Sequence, residues 1–358
     1  MKITDVKASV IRVENPMTGP VKSMTTANFV QVLTDEGIEG QYLSNGTRGV
    51  ADTIIEVLKP IVIGRDPLDR ELLWEQMSAR TAYTMQTQAV GAVDICLWDI
   101  AGKKAGMPVY KLMGGYRDKL RAYASILAHD SPQAYADYAR KLMAMGYTAI
   151  KLHLRGTYLD HLAACRALRE AVGDKVDCLL DVNCRYDRRI ALIVGREIEK
   201  LNFYWYEEPL PNTDIEGYRE LCQTLDIPVA ATETLYYANS ASFFTPYITQ
   251  HAADIIRADA VRGITLARKA AELAEAFHIK CELHGWGSAT CQFANLHVAG
   301  ANRSSDFFEK MEPGEAYDVC AKDTIKIDKE GYVHLPTKPG LGLEFDLDEV
   351  KKRTILAL

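Results

Sequence analysis

The alternation of apolar and polar residues changes rhythm near residue 118. Upstream, "KASVIRV" and "FVQVLTDEGIEG" alternate with a period of two, the second running into turn residues, and both predict strands. Helical periodicity follows around "IIEVLKPIVIG", "ELLWEQM" and "AVGAVDICLWDIAGKKAG", so residues 1–118 read as an α+β unit. From Leu120 short β-rich apolar runs alternate with helical stretches of about a dozen residues. The runs are "LRAYAS", "YTAIKLHL", "DCLLDVN", "FYWYEEP", "VAATET", "DIIRAD", "IKCELHGW" and "FFEKM". Eight strands separated by helices predict parallel βαβ units closing into a barrel over residues 119–318. Beyond about residue 318 the helical rhythm stops; "IKIDKEGYVHLPTKPGLGLEFD" reads as turns and short strands that fold back onto the N-terminal unit, so residues 319–358 complete it.

A repeat of chemistry runs through the barrel segment. Asp181, Glu207, Glu233 and Asp259 succeed one another every 26 residues, and His284 and Glu309 follow at steps of 25. Each stands at the downstream end of one predicted strand, and Lys151 with His153 takes the same place one unit earlier. In a (β/α) barrel those ends meet at one face, where active sites are built. A single acid at a strand end is usually a helix N-cap. Six ionisable residues at one register, each preceded by apolar residues, instead describe a shared cup.

Asp181, Glu207 and Glu233 form an all-oxygen set from consecutive strands, suited to Mg2+ and, without histidine or cysteine, unsuited to zinc. In "FYWYEEPLP" neighbouring residues point to opposite sides, so one glutamate enters the cup; the 26-residue register selects Glu207, leaving Glu208 to support the loop. Lys151 and His153, two apart, share a side, and His284 lies across the cup with Asp259 on the preceding strand to orient it. Two proton-transfer groups flanking a metal suit removal of a proton α to a carboxylate. Histidines 129, 161, 251, 278, 297 and 334 lack this register and read as structural or exposed.

Composition narrows the partners. Net charge −6 and a pI near 5.8 offer no basic footprint for nucleic acid or an anionic membrane. With no signal-peptide pattern and no run of 18 apolar residues, the expectation is a cytoplasmic protein acting on a small molecule. The eight cysteines are scattered without a Cys-x-x-Cys pair and read as buried thiols.

With these residues in view, the chain resembles the enolase superfamily and, within it, the mandelate racemase group. The matching stretches are "AVDICLWDIAGKKAGMPVYKLMGG", "IKLH", "LLDVN", "WYEEPLP", "IPVAATET", "RADAVRGIT" and "CELHGWGS". The resemblance implies an α/β fold, a modified TIM barrel of (β/α)7β type with an N-terminal α+β capping domain completed by the C-terminal tail. It implies Mg2+ on Asp181, Glu207 and Glu233, a His284 and Asp259 acid/base dyad, Glu309 hydrogen-bonding the substrate carboxylate, and Asn183 touching substrate beside the metal. It also implies a homo-oligomer of dimers assembling into octamers. The group's second-strand Lys-x-Lys reads Lys151-x-His153 here, leaving open whether His153 is the base or orients Lys151, and "GIEGQY" replaces the frequent "GxGE" turn of the cap.

The leading expectation is dehydration of an acid sugar, an aldonate or aldarate, to a 2-keto-3-deoxy acid. Racemisation or epimerisation of a carboxylate substrate and lactone cycloisomerisation use the same parts. A catalytically silent binding barrel is disfavoured by the intact ligand trio, and a Schiff-base aldolase on Lys151 by that trio's carboxylates. Substrate contacts are expected from Trp286 and from the loop "NPMTGPVKSMTTANF", with Lys22 and Thr25 as candidates.

Overall fold

A computed structural model describes residues 1–14 and 24–358. The N-terminal cap is an antiparallel sheet of β1 (Ile3–Glu14), β2 (Met24–Thr34) and β3 (Glu39–Asn45), ordered β13-β1-β2-β3, where β13 (Thr354–Ala357) arrives from the far end of the chain. The expected pair of strands gains a third because Glu39–Asn45 turns back along β2, with Gln31 opposite Gln41. Alternation sets the faces between register shifts: along β1, Val6, Ala8 and Val10 are buried with Lys7 exposed, and past the shift at Val10/Ile11 the parity inverts, burying Ile11 and Val13 and exposing Arg12.

The barrel strands are β4 (Lys119–Ile126), β5 (Ala149–His153), β6 (Asp177–Asp181), β7 (Phe203–Glu207), β8 (Val229–Ala231), β9 (Ile255–Ala258), β10 (Lys280–Leu283) and β11 (Phe307–Glu312). All eight are parallel, β4 to β10 pair in chain order, and β11 pairs with the other edge of β4. A helix lies in each of the seven connections and none closes the eighth, which is the (β/α)7β arrangement. The tail is divided rather than sent wholly to the cap: β12 (Tyr332–His334) runs antiparallel to β4 at the barrel, and only then do helix Leu347–Arg353 and β13 reach β1.

The period of two also stacks the barrel interior into layers. Tyr123, Ala149, Leu179, Trp205, Ala230, Ile255 and Phe307 form a closed apolar cluster. Two residues downstream on the same strands come Lys151, Asp181, Glu207, Arg257 and Glu309, all buried. The aromatic run before Glu207 is therefore the floor on which a charged layer rests. Water is excluded from below, so charges in that layer interact in a poorly screened medium.

Helix Thr87–Ala105 joins cap to barrel. Asp94 accepts from the backbone N–H and hydroxyl of Thr265, and Trp98 Nε1 donates to the Thr265 hydroxyl at 2.9 Å. Gly91 is required here, since a Cβ would lie 2.1 Å from the Val261 carbonyl oxygen, on the loop following β9. Thus the cap presses directly on a loop of the barrel's mouth. His297, fully buried on helix Ala289–Ala301, makes a second junction: Nδ1 accepts from the Tyr110 N–H at 3.1 Å and Nε2 donates to the Leu341 carbonyl at 3.0 Å, linking barrel, cap and tail.

Only neutral imidazole satisfies both bonds, and burial pulls the folded-state pKa of His297 down to about 4. The unfolded chain takes up a proton near pH 6.5 that the folded one refuses. The stability His297 contributes is therefore present above that pH and lost toward pH 4, by up to about 3 kcal/mol. His297→Gln, which keeps one acceptor and one donor, should show a shallower decline of unfolding free energy over that range, measured by urea denaturation. Parallel pH profiles for the two proteins would contradict this.

Candidate active site

Five carboxylates, two cations and two imidazoles meet at the downstream strand ends. Asp181, Glu207 and Glu233 each present one oxygen within 4.8 Å of the others, and all three are buried. Asp181 and Glu207 end β6 and β7 pointing inward by alternation. Glu233 lies past β8, where alternation no longer governs. It is placed instead by Thr232, whose φ of +85° is rare for a β-branched residue, and by Glu208, which accepts from the Glu233 N–H at 2.8 Å. Glu208 itself adopts φ +47° and also accepts from Cys184 Sγ at 2.6 Å and from the Thr234 hydroxyl. Burial, reinforced by the Glu233 carboxylate, pushes Glu208 up to about 7. Cys184 is thus a bonded part of the support, while all eight cysteines remain free thiols.

Two buried cations lock the charged layer. Lys151 Nζ lies 2.8 Å from Glu309 Oε1, 3.1 Å from Glu207 Oε2 and 3.7 Å from Asp181 Oδ2. Arg257 reaches Glu207 Oε1 at 2.7 Å, Glu309 Oε2 at 2.6 Å and Glu233 Oε2 at 3.4 Å. Burial works against both charges, but the carboxylates of Glu207 and Glu309 outweigh it and raise Lys151 and Arg257 well above their ordinary values. Arg257 was not among the residues singled out from the sequence. The signal was present: it stands two residues before Asp259, the parity that pairs Lys151 with His153.

Glu309 is held well below the usual carboxylate range: burial opposes ionisation, and Lys151 and Arg257 overcome it. Its Oε2 also accepts from the Gly285 N–H at 2.9 Å. Both of its oxygens are taken up within the charged layer, so Glu309 anchors Lys151 and Arg257.

The imidazoles flank this layer. His284 Nδ1 lies 2.7 Å from Asp259 Oδ2 and Nε2 lies 3.4 Å from Glu233 Oε1. Asp259 is fixed in turn by the Val261 N–H at 2.8 Å and Asn295 Nδ2 at 3.0 Å. Burial would lower His284, but Glu233 and then Asp259 hold it up at about 9. His153 Nδ1 faces the Ile126 carbonyl at 3.0 Å, an acceptor only, so Nδ1 carries hydrogen and Nε2 turns to Asp181 Oδ2 at 2.9 Å. Asp181 Oδ2 receives no well-formed hydrogen bond. Two bare lone pairs at that distance repel, so the contact is stable with a proton on Nε2 or a cation on Asp181. The buried oxygen without a hydrogen bond and the all-carboxylate donor set fit a hard divalent cation.

Above lies a cavity of about 330 Å³ lined by His153, His284, Glu233, Asn183 and Trp286, among others. Trp286 is fixed by donation from Nε1 to the Ser125 hydroxyl at 2.7 Å, with its ring 4.8 Å from that of His153. Thr25 is exposed on β2 opposite Val13; Lys22 lies outside the described residues. Among the described residues no helix is long and apolar enough to cross a membrane.

Replacing Arg257 by Met would leave Glu207, Glu233 and Glu309 with one fewer buried counter-charge. R257M should lose about 3–5 kcal/mol of unfolding free energy in metal-free urea titrations, the range for a broken buried ion pair; a loss under about 1 kcal/mol would show that Arg257 is dispensable to the layer.

Two family matches cover most of the chain: "Enolase C-terminal domain-like" over residues 134–350 and "Mandelate racemase / muconate lactonizing enzyme, N-terminal domain" over residues 3–114. A D-xylonate dehydratase of Haloferax volcanii is 30% identical, over 98% of this chain and 94% of that protein. An N-succinyl-L-Arg/Lys racemase of Bacillus cereus is 28% identical, over 99% and 98%. The crystal structure of a D-glucarate dehydratase from Agrobacterium tumefaciens, complexed with magnesium, superposes with a TM-score of 0.90 at 33% identity, covering 99% of this chain and all of that one. The chain belongs to the enolase superfamily, in its mandelate racemase group.

Proposed function

We propose that this enzyme dehydrates an acid sugar, an aldonate or aldarate, to a 2-keto-3-deoxy acid, with Mg2+ on Asp181, Glu207 and Glu233. The observation that carries the reading is that His153 and His284, on β5 and just past β10, line one cavity together with Glu233, a member of the carboxylate trio. The relatives bearing dehydratase names support the reaction class.

When bound, the cation supplies positive charge at the substrate carboxylate, which acidifies the adjacent C–H. His153 is the base: its Nδ1 hydrogen is committed to the Ile126 carbonyl, so the lone pair available to take the α-proton is on Nε2. Lys151 does not line the cavity and is committed to Glu207 and Glu309, so it serves as a fixed charge rather than a proton acceptor. His284 is the acid. Asp259 stabilises its charged form and aims Nε2 into the cavity, from which a proton passes to the β-hydroxyl as the C–O bond breaks and water departs. The electrons of the α C–H bond form the new C=C, and the enol takes a proton from solvent to give the 2-keto acid.

Racemisation is the second reading, because the same two imidazoles could serve one carbon, and a racemase stands among the relatives. Incubation with aldonates and aldarates, Mg2+ and D2O separates the two. Dehydration yields 2-keto acid, whereas racemisation places deuterium in recovered substrate and yields none. His284→Asn should lower kcat by about 10²- to 10⁴-fold with an unchanged melting temperature. Full activity in that variant would remove His284 from the chemistry.

A further inference from the structure

Two arginines at the mouth of the cavity have no part in the chemistry above. Arg155 follows β5 by two residues and Arg185 follows β6 by four, and both line the cavity that holds His153 and His284. Arg185 Nη1 donates to the Leu154 carbonyl, next to Arg155 in the chain, at 2.6 Å, which ties one loop to the other. Among the described residues neither arginine forms an ion pair, and Arg155 forms no hydrogen bond. The acids on the same two loops are engaged at helix starts. Asp160 accepts from the Thr157 N–H at 2.8 Å and from its hydroxyl at 2.7 Å, and Asp187 accepts from the Ile190 N–H at 2.8 Å.

The charge in the site is therefore divided by depth. Lys151 and Arg257 are consumed by the buried carboxylates, whereas Arg155 and Arg185 line the cavity without a carboxylate partner. Guanidinium groups so placed suit a planar anion, which they hold by forked N–H bonds. A ligand whose reacting carboxylate sits over the carboxylate trio can meet them only with its other end.

We propose that the substrate carries a second anionic group, remote from the carbon that loses its proton, and that Arg155 and Arg185 hold it. Among acid sugars this selects an aldarate, with a carboxylate at each end, over an aldonate. The inference rests on the proposed α-proton abstraction and narrows its substrate class.

Matched pairs differing only at the far carbon, gluconate with glucarate and galactonate with galactarate, test it on the Mg2+-loaded full chain. In the wild type kcat/KM should favour the turned-over diacid by about 10- to 100-fold, the worth of a charge-assisted contact. In R155Q, and further in R155Q/R185Q, the ratio between diacid and monoacid should collapse toward one through a raised KM for the diacid, with melting temperatures confirming the fold. A preference for 6-phosphogluconate over glucarate would keep the remote-anion site and assign it to a phosphate ester. Equal use of monoacid and diacid by the wild type, or a preference that survives the double change, would overturn the subsite while leaving α-proton abstraction intact. If no acid is turned over, the reaction itself is wrong. Calorimetry on Mg2+-loaded H284N then decides the subsite: tighter, Arg155-dependent binding of the diacids supports it, and equal binding of both acids removes it.

Discussion

Five carboxylates cannot share the dry mouth of a barrel unless positive charge is set among them. Asp181, Glu207, Glu233, Asp259 and Glu309 are all buried, and desolvating even one costs several kcal/mol if it stays unpaired. Lys151 and Arg257 answer part of that demand from within the chain, His284 answers Asp259, and the Asp181 oxygen without a hydrogen bond marks where more charge belongs. The same constraint explains the aromatic run before Glu207. Trp205 belongs to the apolar floor that keeps water from below and also donates from Nε1 to Glu207 Oε2 at 3.0 Å, so floor and charged layer are one construction.

Backbone strain collects where this layer meets the loops. Asn183, Cys184, Glu208 and Thr232 all carry positive φ, an arrangement that costs energy and persists only where surrounding bonds insist on it. Here the insistence comes from Glu208, whose carboxylate gathers the Cys184 thiol, the Glu233 N–H and the Thr234 hydroxyl. The second glutamate of the pair thus acts through its neighbour, holding Glu233 at an angle that regular strand geometry would not give. From the other side, the cap's long helix bears on the loop after β9 at Gly91, and β3 bonds the start of helix Ala289–Ala301 through Leu43 and Thr290. Cap and barrel therefore brace the loops of Asp259 and His284 together.

What could be read from sequence follows the range of the interaction responsible. The barrel was legible because each βα unit spends a similar length of chain, so the period of two within strands and the pitch of 26 or 25 residues between their ends are both local signals. The third cap strand was not, because "GQYLSN" becomes a strand only through its register against β2. The tail's division between β4 and β1 is likewise decided by distant partners, although Asp346 before helix Leu347–Arg353 was a readable cap. Arg257 lies outside the 26-residue register of strand-end residues and is found only by following the parity of β9 back from Asp259. The partners that fix two residues of the site, Asn295 for Asp259 and Ser125 for Trp286, lie on other elements and leave no mark in local pattern.

The charge balance of the barrel mouth calls for a divalent cation on Asp181, Glu207 and Glu233. A crystal of the full chain grown with Mn2+ as an anomalous surrogate for Mg2+ tests this most directly. An anomalous peak bonded to one oxygen each of Asp181, Glu207 and Glu233, with Lys151 and Arg257 still paired to Glu309, is the predicted result. No peak there under saturating metal, with Lys151 and Arg257 alone neutralising the trio, would contradict it.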